Sequence, residues 1–185
     1  KKSKKRKPLI IRGARQVGKT WLMKEFGKTQ FKECVYLNFD ENVRLASVFE
    51  KDLNPERLLL ALSAEVGKKI NADNTLLIFD EIQEVPRALT ALKYFKQDYS
   101  EIPVIATGSM VRIKIKRNQK ISNQHALEGF FFPVGAIEEI YIHPISFEEF
   151  IYNSNRLLHD KIVEAYNNQN NFYYKHAAKH FLKKK

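Results

Sequence analysis

The chain has 185 residues and a formal net charge of +11, from 32 Lys and Arg against 21 Asp and Glu. That length suits one domain with room for a small appendage. No apolar run approaches the roughly eighteen residues of a membrane span, and the single cysteine, Cys34, excludes an internal disulfide. A cytoplasmic location with no membrane partner fits these features.

The chain opens on a basic cluster: Lys1, Lys2, Lys4, Lys5, Arg6 and Lys7. It does not read as the start of a secretion signal, because the apolar run that follows is short and Arg12 and Arg15 interrupt it. That run (Leu9, Ile10, Ile11) reads as a buried strand. It leads into Gly13-Ala14-Arg15-Gln16-Val17-Gly18-Lys19-Thr20, which fits the G-x-x-x-x-G-K-[ST] phosphate loop at every position. A helix is expected at once over about residues 20–28. Strand, glycine loop and helix are the context the motif demands. Gly13 and Gly18 let the backbone turn tightly, and the loop amides and helix N-terminus then point at an anion. Lys19 is expected at the β- and γ-phosphates of a nucleotide, and the Thr20 hydroxyl on Mg²⁺.

Further along, residues 34–39 read as a strand and 43–50 as a short helical segment. Asn54-Pro55 is a helix start, with Leu58, Leu59, Leu62 and Val66 at helical spacing up to Gly67. A buried parallel-type strand covers 75–79 and stops on Asp80-Glu81. Pro86 opens the next helix, and 103–107 forms a strand ending at Gly108-Ser109. Residues 110–132 contain a second basic cluster (Arg112, Lys114, Lys116, Arg117, Lys120), and their middle, 114–124, reads as a mobile loop or a strand excursion. The last strand is expected over 138–142. Ser146-Phe147-Glu148-Glu149 is a capping box, and the chain beyond it reads as helical with a break around 167–171. A third basic cluster closes the chain. Alternating strands and helices predict an α/β fold with a mostly parallel sheet covered on both faces.

An apolar strand ending in Asp-Glu supplies what a phosphate loop needs from elsewhere. Asp80 is expected to hold Mg²⁺ through water, and Glu81 to polarise an attacking water. The adjacent pair favours water over a small-molecule acceptor, and so hydrolysis over kinase chemistry. Ser109 or Thr107, at the end of the next strand, is expected to face the γ-phosphate. Cys34 reads as a small core residue, and the five histidines show no metal-ligand spacing.

GARQVGKT, LNFDEN, LLIFDEIQEVPRALTALKYF, IATGS, FPVG and HPISFEEF occur in this order in the prokaryotic AAA-type ATPases whose full-length members carry a C-terminal DUF4143 region, and the chain resembles that family over about residues 7–151. The resemblance implies a P-loop NTPase core of the ASCE class with strand order 5-1-4-3-2, and ATP and Mg²⁺ as ligands. It places Gly13, Gly18, Lys19 and Thr20 in the Walker A loop, Asp80 and Glu81 in Walker B, and Ser109 at a sensor position. Gln83 of the DEIQ segment either couples the site to the next helix or caps that helix. The domain reading is a basic arm at 1–7, the ATPase core at 8–145, and the start of a helical lid at 146–185, shorter than in the family.

The leading expectation is a Mg²⁺-dependent ATPase domain in which Lys19, Glu81 and Ser109 serve catalysis, residues 13–20 bind nucleotide, and Thr20 and Asp80 hold the metal. A nucleotide switch without turnover and a basic nucleic-acid-binding module are the alternatives. A homo-oligomer is a possible assembly, with Arg87 or Arg112 as a conceivable arginine finger; a solvated role is the better reading for both arginines, and for Arg15.

Overall fold

The computed structural model describes residues 6–72, 74–108, 133 and 135–167. The chain divides into two compact units, Lys1–His143 and Pro144–Lys185. The first holds five strands: β1 (Leu9–Gly13), β2 (Glu33–Asn38), β3 (Thr75–Asp80), β4 (Val104–Thr107) and β5 (Glu138–Ile142). They form one sheet in the order β2-β3-β4-β1-β5, and every pairing is parallel. Read from the other edge this is 5-1-4-3-2, the expected order.

β3 lies between β2 and β4, and its six residues Thr-Leu-Leu-Ile-Phe-Asp are all buried. An unbroken apolar strand of this kind needs cover on both faces, and its side chains alternate between two cores. Leu77 and Phe79 join the larger one, with Leu45 and Phe49, with Leu58 and Leu62, and with Leu89, Leu92 and Phe95. These come from α2 (Arg44–Val48) and its C-terminal cap, α3 (Pro55–Val66) and α4 (Pro86–Asp98). Phe79 meets the rings of Phe39, Phe49 and Phe95 near edge-on at centroid distances of 5.5, 6.2 and 6.3 Å, a geometry that aromatic quadrupoles favour. Leu76 and Ile78 point the other way, to Met23 on α1 (Lys19–Gln30), together with Ile11 and Ile105.

Local chemistry sets the helix ends. Asn54 accepts a hydrogen bond from the Arg57 amide at 3.1 Å, Pro55 takes the first helical position, and Gly67 closes α3 in the left-handed region at φ 65°. In the second unit, α5 (Phe147–Ser154) starts on the expected capping box: the Ser146 hydroxyl accepts from Glu149 N at 3.2 Å, and the Glu149 carboxylate accepts from Ser146 N at 2.8 Å.

Two expectations change here. The C-terminal helical stretch breaks at Asn155, between α5 and α6 (Arg156–Asn167). Asn155 leaves the helical region, and its side chain accepts from Leu158 N at 3.0 Å, so it acts as the N-cap of a new helix. Residues 168–171 lie outside the described residues. Cys34 is not a core residue: it sits exposed on the edge strand β2. No helix among the described residues is long and apolar enough to cross a membrane.

Candidate functional site

The site lies where the carboxyl ends of the strands meet, the usual ligand crevice of an open parallel sheet. β1 ends at Gly13, with φ +154°. A Cβ at this position would stand 2.3 Å from the Ile142 carbonyl oxygen, so the neighbouring strand end leaves room only for glycine. Ala14, Arg15 and Gln16 follow on the surface. The chain turns back through Gln16 at φ 63° and Gly18 at φ 88°. A left-handed non-glycine residue inside the loop was not expected, and such strain concentrates in loops that clamp ligands. Val17 is half-buried against Gly13.

Gly18 is the N-cap of α1 and brings no capping side chain, and no acidic residue stands in the first turn. The positive end of the helix is therefore left for an anion. Lys19, the first residue of α1, folds back over the loop. Its ammonium donates to the carbonyls of Gly13 at 3.1 Å and Ala14 at 2.6 Å.

Across the crevice, β3 delivers Asp80. The register sets Asn38 of β2 opposite Asp80, and Ala106 of β4 opposite Phe79, so Thr107 comes level with the carboxylate. Asp80 is only 3% exposed. Its Oδ2 accepts from the Thr20 hydroxyl and from the Tyr36 phenol, each at 2.8 Å. Its Oδ1 accepts from the Thr107 hydroxyl and from Glu81 N, the latter at 3.1 Å. Charge-assisted bonds of this kind make up for burying a carboxylate. Burial, and then the Asp80 carboxylate beside it, push the Tyr36 phenol well above its ordinary value, so it stays a donor. The Lys24 ammonium lies 3.7 Å from the centre of the Tyr36 ring.

Glu81 leaves the strand in the left-handed region at φ 53°. This turns the chain into one turn of 3-10 helix, Ile82–Glu84. Gln83, 1% exposed, donates from Nε2 to the Glu81 carboxylate and to Glu84 Oε1, the latter at 3.3 Å. A Cβ at Gly108 would stand 2.6 Å from Gln83 Oε1, so the glycine after β4 makes room for that amide. Gln83 thus touches Glu81, and it does not cap α4: Val85 is the N-cap of that helix and no side chain caps it.

A family model described as an AAA domain matches residues 5–151. The chain belongs to the AAA domain family. A search of curated proteins gave no match. The family is one of nucleotide-binding ATPases, and the parallel sheet of this AAA domain is that of a P-loop NTPase core.

The remaining expected residues of the AAA domain divide as follows. Ser109 and Arg112 lie outside the described residues, as do most of the basic clusters. Thr107, named beside Ser109 as a sensor, is buried on Asp80. Arg87 is half-buried, and its Nε donates to the Phe49 carbonyl at 2.6 Å, which ties the start of α4 to the end of α2. Arg15 is exposed. Among the described residues no group of three or more His, Cys, Asp or Glu side chains is placed to hold a metal. Sequence reasoning missed Tyr36. The signal was there in strand alternation: once β2 and β3 pair in parallel, Tyr36 and Asn38 share the face of Ile78 and Asp80.

Proposed function

We propose that this AAA domain binds ATP with Mg²⁺ and hydrolyses it to drive a conformational change. The observation that carries the reading is the 2.8 Å bond between the Thr20 hydroxyl of the phosphate-loop helix and the buried Asp80 carboxylate. It joins the two motifs at one point. In this reading the loop amides and Lys19 bind the phosphates, with the ammonium exchanging the Gly13 and Ala14 carbonyls for phosphate oxygens. An oxygen-only pair such as Thr20 and Asp80 suits a hard cation that keeps most of its waters. When bound, Mg²⁺ would neutralise charge on the phosphate oxygens. Glu81 takes a proton from the attacking water, and Ser109 or Thr107 responds to the γ-phosphate.

A second reading, a nucleotide switch without turnover, draws support from Gln83. Its amide donates to the Glu81 carboxylate, and a base held in this way is oriented by Gln83 until that bond opens. Contact with a further copy of the chain is one way to open it.

The test is ATP binding and phosphate release for the parent, Lys19→Ala and Glu81→Gln. Loss of the Lys19 ammonium is expected to weaken nucleotide binding about 100-fold. Glu81→Gln is expected to bind ATP normally and lose roughly 10²- to 10⁴-fold in turnover, the usual weight of a general base. Equal turnover in Glu81→Gln and parent would overturn the assignment of Glu81. Binding without turnover in the parent would favour the switch.

A further inference from the structure

A carboxylate offers about four lone-pair sites. Among the described residues all four of Asp80 are taken: Oδ2 by Thr20 and Tyr36, Oδ1 by Thr107 and Glu81 N. Any hydrated cation that comes to this carboxylate must donate from its water, and so must displace one of these donors. Three of them are fixed. Glu81 N is backbone. Thr107 is a short side chain, 1% exposed, inside the sheet. Thr20 is a short side chain on the first turn of α1. The fourth, Tyr36, stands on the edge strand β2, is only partly buried, and reaches Asp80 with a long side chain that rotates about two bonds.

We infer that Tyr36 is a latch on Asp80, closed while the carboxylate carries no hydrated cation and released when it takes one. The inference rests on the proposed metal role of Asp80. It runs against the simpler idea that the phenol holds Asp80 ready for metal, and the two ideas predict opposite signs. A latch competes with the cation, so removing the hydroxyl tightens metal binding. A positioning residue helps the cation, so removing it weakens binding. The Lys24 ammonium over the ring and the Asn38 amide, 3.5 Å from the phenol oxygen, steady the closed position.

The experiment is a Mg²⁺ titration of the protein with a fluorescent ADP analogue, comparing parent and Tyr36→Phe. The variant keeps the ring and its contact with Lys24. Because water can replace part of the lost bond, Mg²⁺ is expected to bind about three- to tenfold tighter, with metal-free ADP affinity unchanged. An equal or weaker Mg²⁺ affinity in Tyr36→Phe overturns the latch. If the parent binds ADP with no Mg²⁺ dependence at all, the metal role of Asp80 fails instead, and the latch falls with it. A second readout does not depend on the variant. With 3-fluorotyrosine in place of tyrosine, and the Tyr36 signal assigned by its loss in Tyr36→Phe, that ¹⁹F resonance is expected to move when Mg²⁺ is added to the ADP-bound protein. A resonance that stays in place overturns the latch.

Discussion

The phosphate loop and the Asp80 carboxylate meet at one edge of the sheet, yet they are held in different ways. The loop is shaped by its own backbone. Gly13, Gln16 and Gly18 take positive φ values, residues 14–16 are exposed, and Lys19 bonds to carbonyls five and six residues before it. Asp80 is buried and takes its bonds from α1, β2, β4 and the Glu81 amide. One half of the site is local in sequence, and the other exists only once the sheet is assembled. The local half is therefore sensitive to backbone changes and indifferent to most of its side chains. The assembled half is sensitive to single hydroxyl groups.

Substitutions that cross this division test it. The largest effect is expected from Gly13→Ala. The added methyl meets the Ile142 carbonyl, a backbone atom that cannot step aside. Overpacking of this kind costs about 1–3 kcal/mol, and the displaced loop should lose nucleotide binding altogether. Thermal unfolding and fluorescent-nucleotide binding read the two effects, and a variant with normal affinity would show that the loop tolerates a shift against β5. A middle effect is expected from Thr107→Val, which keeps the shape but strips one donor from a buried carboxylate. Stability should fall by about 1.5–3 kcal/mol in denaturant titration, while metal-free nucleotide binding stays. The smallest effect is expected from Arg15→Ala. This side chain lies in the loop motif but is exposed, so stability should change by less than about 0.5 kcal/mol. A large loss of nucleotide affinity in Arg15→Ala would show that the loop relies on a side chain after all.

The same division explains what could be read in the sequence. Strands, helix starts and the phosphate loop are short-range patterns. The β5 span, the Asn54-Pro55 start, the Ser146 capping box and the GARQVGKT motif all stand where the residues place them. The alternation of β3 marks Asp80 as lying on the α1 face. What encloses Asp80 could not be read, because it depends on parallel register between strands about 40 residues apart in the chain. Tyr36 looked like one more strand aromatic until the register set it opposite Ile78, on the face of Asp80. The bond from Arg87 to the Phe49 carbonyl could not be read either, because it needs the end of α2 beside α4. Cys34 looked like core because it sits in an apolar strand, although the implied order 5-1-4-3-2 already set that strand at an edge. The break at Asn155 was missed for a different reason: a single Asn inside a helical pattern is a weak stop signal, although its capping role is local.

The most direct test is nucleotide affinity of Asp80→Asn, measured with and without Mg²⁺. If the loop binds phosphates and Asp80 serves the metal, the variant should match the parent without Mg²⁺ and lose the gain that Mg²⁺ confers. An equal loss of affinity in both conditions, with the fold intact, would contradict the account, because Asp80 would then be shaping the phosphate loop instead of serving a metal beside it.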